Sequence, residues 1–489
     1  MDGRQSAQSG ERESRERLRV LAEDALSRAA GSRLVSGNRV RLLKDGRENY
    51  PAWLNAIREA RRHIHFESYI IHEDSTGREF ADALIAKARE GVRVRVVYDW
   101  MGGFGTSRRF WNNLRAAGID VRCYNPPRMD SPLGWLSRDH RKSLVVDGRI
   151  GFIAGLCVGN AWIGDSAKKI EPWRDTGVEI QGMAVTEIEQ AFADIWARTG
   201  PPLPESEPPT DAVAAGATSV RVVATIPMTA GMSRLDELVA SLAQKTLWLT
   251  DAYYAGMTSY VQSLRAAAKD GVDVRLLVPN GTDIPLLRPL SRAGYRPLLE
   301  AGVRIFEWNG TMVHAKTAVA DGHWARVGSS NLNVASWFGN CELDLVVEEE
   351  AFSRQMEEMY LEDLQNATEI ILDSKKRVRA PSEPAHSSPV LSSGGGSAGR
   401  AAAGALRIGS AMGAAFANRR PFEPVEARLL AVTGSLLVGL VVVLVFVPAL
   451  LIYPAIVVLA WMGAALLYRA FRLRAKSKDG VKSPPSSLM

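Results

Sequence analysis

Two stretches of this chain copy one another, and a duplicated unit narrows the possible folds more than any single motif does. AIREARRHIHFESYI and FADALIAKAREGVRVRVVYD, within 56–99, align with LVASLAQKTLWLTDAYY and YVQSLRAAAKDGVDVRLLVP, within 238–279. Each copy reads as a helix, a β-rich run, a helix with apolar residues three and four apart, an acidic residue before glycine, and an alternating strand. LRAAGIDVRCY (114–124) then matches LLEAGVRIFEW (298–308), and a His-x-Lys element follows in each copy at His140 and His314. The offset stays near about 180 residues across these landmarks, which indicates duplication of one α/β lobe. Strands alternating with helices predict a sheet covered on both faces in each lobe.

His314 and Lys316 stand two apart, as do His140 and Lys142, so on a strand each pair leaves the same face. Asp321 and Asp147 lie at an odd offset from their histidines and precede glycine. They are expected to turn away from the His/Lys face, at a hairpin turn, in a structural role. After Gly328, the hydroxyl of Ser329 and the amide of Asn331 can donate to an anionic oxygen. Imidazole, ammonium and carboxamide without a carboxylate cluster suit a phosphate better than a metal, and no metal or other cofactor is expected. His63 and His65 could be two zinc ligands on one strand face, but no partner with suitable spacing accompanies them, so an ordinary strand is expected. Two facing lobes would supply two histidines, one to attack phosphorus and one to protonate the leaving oxygen.

The pattern completed by His314, Lys316, Asp321, Gly328, Ser329 and Asn331 is that of the phospholipase D superfamily, and two copies make the resemblance specific. RLLKDGRENYPAWLNAI, HRKSLVVDGRIGF, WRDTGVEIQG and DGHWARVGSSNLN resemble segments of bacterial cardiolipin synthases, over roughly residues 38–372. The resemblance implies two phospholipase D-like α/β/α lobes related by pseudo-twofold symmetry, with one metal-free site between them. It implies His140, Lys142, Asp147, His314, Lys316 and Asp321 as the catalytic set, with His140 attacking and His314 as acid and base. Glu342 matches the acid that holds the catalytic imidazole, and Asp175 looks like its counterpart in the first lobe. Arg288 and Arg292, four apart on one helical stripe with Arg296, and the nearby Tyr295 become candidate headgroup contacts. The implied reaction transfers a phosphatidyl group between two phosphatidylglycerol molecules through a phosphatidyl-histidine. A hydrolytic phospholipase D, a phosphatidylethanolamine-using transphosphatidylase and a lipid-binding scaffold are the alternatives. The first copy departs from the pattern: Ala154, Gly155, Leu156 and Cys157 stand where the second has Gly-Ser-Ser-Asn, and Asn160 is out of register.

From Leu429 to Tyr468 no residue is charged, about twice the ~20 residues that one membrane crossing needs. Pro448 and Pro454 lie near its middle, and both flanks are basic: Arg419, Arg420 and Arg428 before, Arg469, Arg472, Arg474, Lys476 and Lys478 after. Both ends are therefore expected on the cytoplasmic side of the inner membrane, joined by a transmembrane helical hairpin, with the catalytic lobes on the cytoplasmic face. The first twenty residues carry charge throughout and do not resemble a secretory signal. The three cysteines form no disulfide framework, which fits a reducing compartment. A net charge of +6 is mild for 489 residues and fits anionic phospholipids without calling for nucleic acid. The organisation expected is a charged lead-in (1–33), lobe one (34–200), a linker (201–218), lobe two (219–375), a flexible Ser/Gly/Pro linker (376–420), the hairpin (421–475) and a tail (476–489).

Overall fold

The computed structural model describes residues 21–127, 136–165, 171–204, 212–284, 287–372 and 378–379, with five helical residues between 453 and 463. Both copies of the repeat fall in one compact unit, and a second unit takes in 125–137 and 420–489. The expected flexible linker, transmembrane hairpin and tail lie outside the described residues, apart from 378–379 and those five positions. Among the described residues no helix is long and apolar enough to cross a membrane.

Helix α1 (21–30) precedes the first copy. That copy runs β1 (Val35–Lys44), α2 (Asp45–Glu59), β2 (His63–Ser68), α3 (Ser75–Arg89), β3 (Arg93–Asp99), α4 (Arg108–Ala116), β4 (Asp120–Tyr124), β5 (Lys142–Val146), β6 (Ile150–Ala154), α5 (Asn160–Ile163), β7 (Thr176–Gly182) and α6 (Val185–Thr199). The second runs β8 (Thr218–Thr225), α7 (Gly231–Leu242), β9 (Thr246–Thr250), α8 (Thr258–Lys269), β10 (Asp273–Pro279), α9 (Leu287–Ala293), α10 (Tyr295–Leu299), β11 (Arg304–Trp308), β12 (Thr317–Ala320), β13 (Trp324–Gly328), β14 (Glu342–Glu348), α11 (Glu350–Gln365) and β15 (Ala367–Leu372).

The strands join in one sheet that crosses the lobe boundary at β1 and β8, an antiparallel pair. Outward from that seam the order β1-β7-β6-β5-β2-β3-β4 is repeated as β8-β14-β13-β12-β9-β10-β11, so the duplication in the sequence is a duplication of topology. In each lobe three strands are parallel, β2-β3-β4 and β9-β10-β11, and the rest are antiparallel. The helix between the first two parallel strands ends the same way in both copies. Gly91 and Gly271 take φ of 89° and 94°, a left-handed conformation that closes a helix and that a side chain resists.

Period-two alternation sorts the faces. Ile64 and Phe66 of β2 enter the first lobe's outer core with Phe80 and Leu84 of α3, while His63, His65 and Glu67 face the other way. A third core belongs to both lobes: Val145, Val178 and Ile188 pack in one cluster with Val327, Leu345 and Met356. This shared core brings the two His-x-Lys elements onto common ground.

Each His-x-Lys strand ends in the same hairpin. Asp147-Gly148 and Asp321-Gly322 all have positive φ, as the tight turn requires at both central positions. The Asp147 carboxylate accepts the backbone N–H of Arg61, Arg62 and His63, and Asp321 accepts those of Gln244, Lys245 and Thr246. The two aspartates thus tie the turn to the start of the neighbouring strand, away from the histidines. Burial would raise both carboxyls, but their three backbone donors outweigh it and hold them below the usual carboxylate range. A depressed folded pKa gives stability that is present at neutral pH and is lost as pH falls below about 4. Asp321→Ala should destabilise the fold by about 1–3 kcal/mol, since charge-assisted bonds to partly exposed N–H groups are lost, while turnover per folded molecule holds. Denaturant unfolding at pH 7 and pH 3.5 checks both parts: the gap between wild type and variant should narrow in acid.

Candidate active site

The backbone first fixes where the histidines sit. Cys341 donates its N–H to the Arg138 carbonyl at 2.8 Å, and His140 donates to the Cys341 carbonyl at 2.9 Å. In the mirror arrangement Arg174 donates to Met312 at 2.9 Å, and His314 to Arg174 at 2.7 Å. Each His-x-Lys segment is therefore zipped to the other lobe, just before that lobe's acidic residue. Two buried arginines hold the junction. Arg141 reaches the carbonyls of Glu342, Ala191 and Thr225, and Arg174 reaches Asp363, Asp45 and Thr176.

The acids consequently cross over. His140 Nδ1 lies 2.9 Å from Glu342 Oε2, and His314 Nδ1 lies 2.7 Å from Asp175 Oδ2. Both carboxylates are wholly buried, and each histidine is less than a twentieth exposed. A carboxylate on Nδ1 fixes the ring so that Nε2 is the working nitrogen. Lys142 and Lys316 fold their ammonium groups onto the carbonyls of His140 and His314. Lys316 Nζ also stands 3.0 and 3.2 Å from the two ring nitrogens of His314. The Lys142 charge is felt at both His314 and Lys316, so the two motifs share one electrostatic site.

Burial, reinforced by Lys316 and opposed by Asp175, lowers His314 to about 4, so its ring is neutral in the free enzyme. Burial likewise brings Lys316 down to about 8. Burial works to raise Asp175, but His314 and Lys316 pull it below the usual carboxylate value. At Glu342 burial prevails over Lys142 and the neighbouring hydroxyls, and its carboxyl is raised.

Several sequence expectations need correction here. Ser329 serves the acid rather than an incoming anion: its Oγ donates to Glu342 Oε2 at 2.6 Å and accepts from Leu343 N at 2.9 Å. Asn331 is fully buried, with Nδ2 3.4 Å from Ser336 Oγ and Oδ1 without a protein partner. Tyr295 is buried, with Glu307 beside its hydroxyl, and Arg292 forms a two-pronged ion pair with the same Glu307. Both therefore support the packing of lobe two instead of facing a headgroup. Arg288 stands half-buried on α9. Asn160 is an acceptor for Ser75 and Thr76 at the start of α3, a structural role. Cys157 is a buried member of the first lobe's apolar core, its carbonyl bonded by the Tyr50 hydroxyl at 2.7 Å.

His63 and His65 do acquire a third partner, Glu189 of α6, whose Oε1 is 2.5 Å from His63 Nε2 and 3.8 Å from His65 Nδ1. Arg95 Nη1 sits 3.3 Å from His65 Nε2, however, and a guanidinium can only donate. The neutral His65 ring must then carry its proton on Nδ1, the atom that would have to offer a lone pair to a metal. His63 Nε2 and Glu189 form the hydrogen bond of this trio, while His65 Nδ1 has no hydrogen-bond partner among the described residues and its ring stacks on Phe192 at 4.5 Å.

Two tyrosines that belong to no motif also line the site. Tyr69 packs edge-on to His140 at 5.0 Å and Tyr253 to His314 at 5.7 Å. Their signal is in the repeat, where both copies carry a tyrosine as the penultimate residue of the β-rich run. Trp162 and Trp173 complete the wall around His314, at 5.6 and 5.5 Å.

Comparison with known proteins agrees with this architecture. A family profile described as "Cardiolipin synthase, PLD-like domain" matches residues 53–196 and 239–364. A cardiolipin synthase of Alkalihalophilus pseudofirmus is 32% identical over 336 residues, which are 68% of this chain and 67% of that protein. Cardiolipin synthase A of Pseudomonas fluorescens is 32% identical over 360 residues, 71% of this chain and 72% of the relative. Among solved structures, phosphatidylserine synthase of Haemophilus influenzae has the same fold, with a TM-score of 0.58 at 14% identity, covering 71% of this chain and 91% of that one. The repeated lobe, the paired His-x-Lys elements and these matches together show that the chain belongs to the cardiolipin synthase family of phospholipase D-like proteins.

Proposed function

We propose that the protein is a phosphatidyltransferase that makes cardiolipin and glycerol from two molecules of phosphatidylglycerol. The observation that carries this reading is the crossed pair of buried His–carboxylate couples, each with a lysine, inside a fold shared with cardiolipin synthases. One imidazole Nε2 attacks the phosphorus of the first phosphatidylglycerol. The P–O bond to the headgroup glycerol breaks, and the second imidazolium gives its proton to that oxygen. The phosphatidyl group is left on the first ring through a P–N bond. The glycerol hydroxyl of a second phosphatidylglycerol then attacks phosphorus and loses its proton to the second imidazole, and the P–N bond breaks. Lys142 and Lys316 offset the charge that gathers on the phosphoryl oxygens.

We assign the attack to His314, whose buried ring is neutral in the free enzyme as a nucleophile must be, and the acid and base role to His140, the reverse of the order expected from sequence. Arg288 remains the candidate headgroup contact. The basic flanks of the uncharged run support a position of the lobes at the cytoplasmic face of the inner membrane.

The test is the product formed by full-length protein in detergent with labelled phosphatidylglycerol alone. Cardiolipin with an equal amount of glycerol is expected. Phosphatidic acid would make the protein a hydrolase, and no product would make it a lipid-binding scaffold. A reporter fused after Met489 should read as cytoplasmic; a periplasmic reading would overturn the hairpin.

A further inference from the structure

The two carboxylates that hold the histidines are themselves held differently. Glu342 receives the Ser329 hydroxyl at 2.6 Å and Asn340 Nδ2 at 3.3 Å, with Ser336 also hydrogen-bonded to it. In the first lobe the position matching Ser329 is Gly155, and no hydroxyl is available there. The space is closed as well: a Cβ on Gly155 would lie 2.2 Å from Asp175 Oδ1. Asp175 is one methylene shorter than Glu342 and sits directly over that glycine. Besides the backbone N–H of Thr176 on Oδ1 at 2.8 Å, it takes a side-chain donor from elsewhere. The position matching Ser336 is Trp162, whose indole Nε1–H reaches Asp175 Oδ2 at 2.9 Å, the same oxygen that His314 Nδ1 engages at 2.7 Å. The indole is buried and fixed from two sides. Its backbone belongs to α5, and its ring packs edge-on against Trp173 at 5.0 Å and His314 at 5.6 Å.

We infer that Trp162 is a positioning residue for the transfer reaction: through Asp175 it orients His314 and limits the basicity of that ring, in place of the hydroxyl lost at Gly155. The inference rests on the two-histidine reading above. An N–H on Oδ2 withdraws charge from the oxygen that faces His314, so the couple holds a proton less tightly than it would without the indole. The other groups facing His314 are Lys316, Lys142 and Tyr253, and none of them is altered by a change at Trp162. The two halves of the site are thereby unlike although the lobes are copies, which gives two otherwise similar histidines different proton affinities.

Trp162→Phe in the full-length protein keeps an aromatic ring and removes the donor. With phosphatidylglycerol, kcat/KM should fall about tenfold and the acid limb of its pH profile should rise by about half a unit to one unit. Ser329→Ala, which strips the matching hydroxyl from Glu342, should leave that limb in place. A readout independent of turnover comes from NMR of histidine-labelled protein, with His314 assigned by the signal lost in His314→Gln. Its titration should move up in Trp162→Phe and stay put in Ser329→Ala. An unmoved His314 titration in folded Trp162→Phe overturns the proposal, as does an equal shift in both variants. If Trp162→Phe does not fold, the indole signal of Trp162 in the unaltered protein serves instead. It should shift as His314 titrates, and an indole signal indifferent to that titration overturns the proposal too. Absence of cardiolipin with the NMR shift intact would count against the transferase reading alone.

Discussion

His314→Ala and His140→Ala should each abolish cardiolipin formation, by at least ~10⁴-fold, and the double variant should be little worse than either, because the two rings act as one unit. Attack at phosphorus needs an unprotonated imidazole while departure of glycerol needs a protonated one, so a single ring cannot serve both needs in the same step. The structure supplies two rings with separate carboxylates, His140 on Glu342 and His314 on Asp175. The variants are separable by substrate. A phosphatidyl ester of nitrophenol has a leaving group that needs no proton. It should restore nitrophenol release in His140→Ala, though not the second transfer, for which His140 is the base, and leave His314→Ala inert. Mass spectrometry of wild-type protein quenched without acid should find the phosphatidyl adduct on His314. An adduct on His140, with the rescue pattern inverted, would return the roles to the order read from sequence. Near-normal turnover in both alanine variants would end the transferase reading.

The second large effect is expected at Asp175. Asp175→Asn preserves shape but cannot preserve hydrogen bonding. One carboxylate oxygen accepts both the His314 ring and the Trp162 indole, and the other accepts the backbone N–H of Thr176 at 2.8 Å. In either orientation the amide sets an NH2 group against a donor. The loss should be about 10²- to 10⁴-fold in kcat, the range found when a carboxylate that orients a catalytic histidine is neutralised. The charge that opposes burial at His314 also disappears, so the ring should titrate below its present value of about 4. Glu342→Gln should instead perturb His140 and spare His314. If Asp175→Asn moved the His140 titration, the crossed pairing would be wrong.

What could be read from sequence was whatever the chain encodes locally. Hydrophobic periodicity and the glycines after the helices are short-range signals, and they appear twice, so the repeated lobe and its strand content were legible. The aspartates were legible for the same reason: an odd offset on a strand followed by glycine is a statement about a hairpin, and both carboxylates sit on backbone donors at its base. The two His-x-Lys pairs could be named because their spacing survives duplication.

The tertiary structure alone decided which groups meet. Asp175 and His314 lie 139 positions apart, Glu342 and His140 202 apart, and no periodicity carries information over such separations. The crossing follows from backbone pairing between lobes and from two buried arginines whose partners lie on distant elements. The same holds for Ser329, Arg292 and Tyr295, which looked like ligand contacts until a buried glutamate claimed each of them. A motif fixes the types of group that reach a site. Burial fixes their partners, because a polar group withdrawn from water must bond to whatever the fold places beside it.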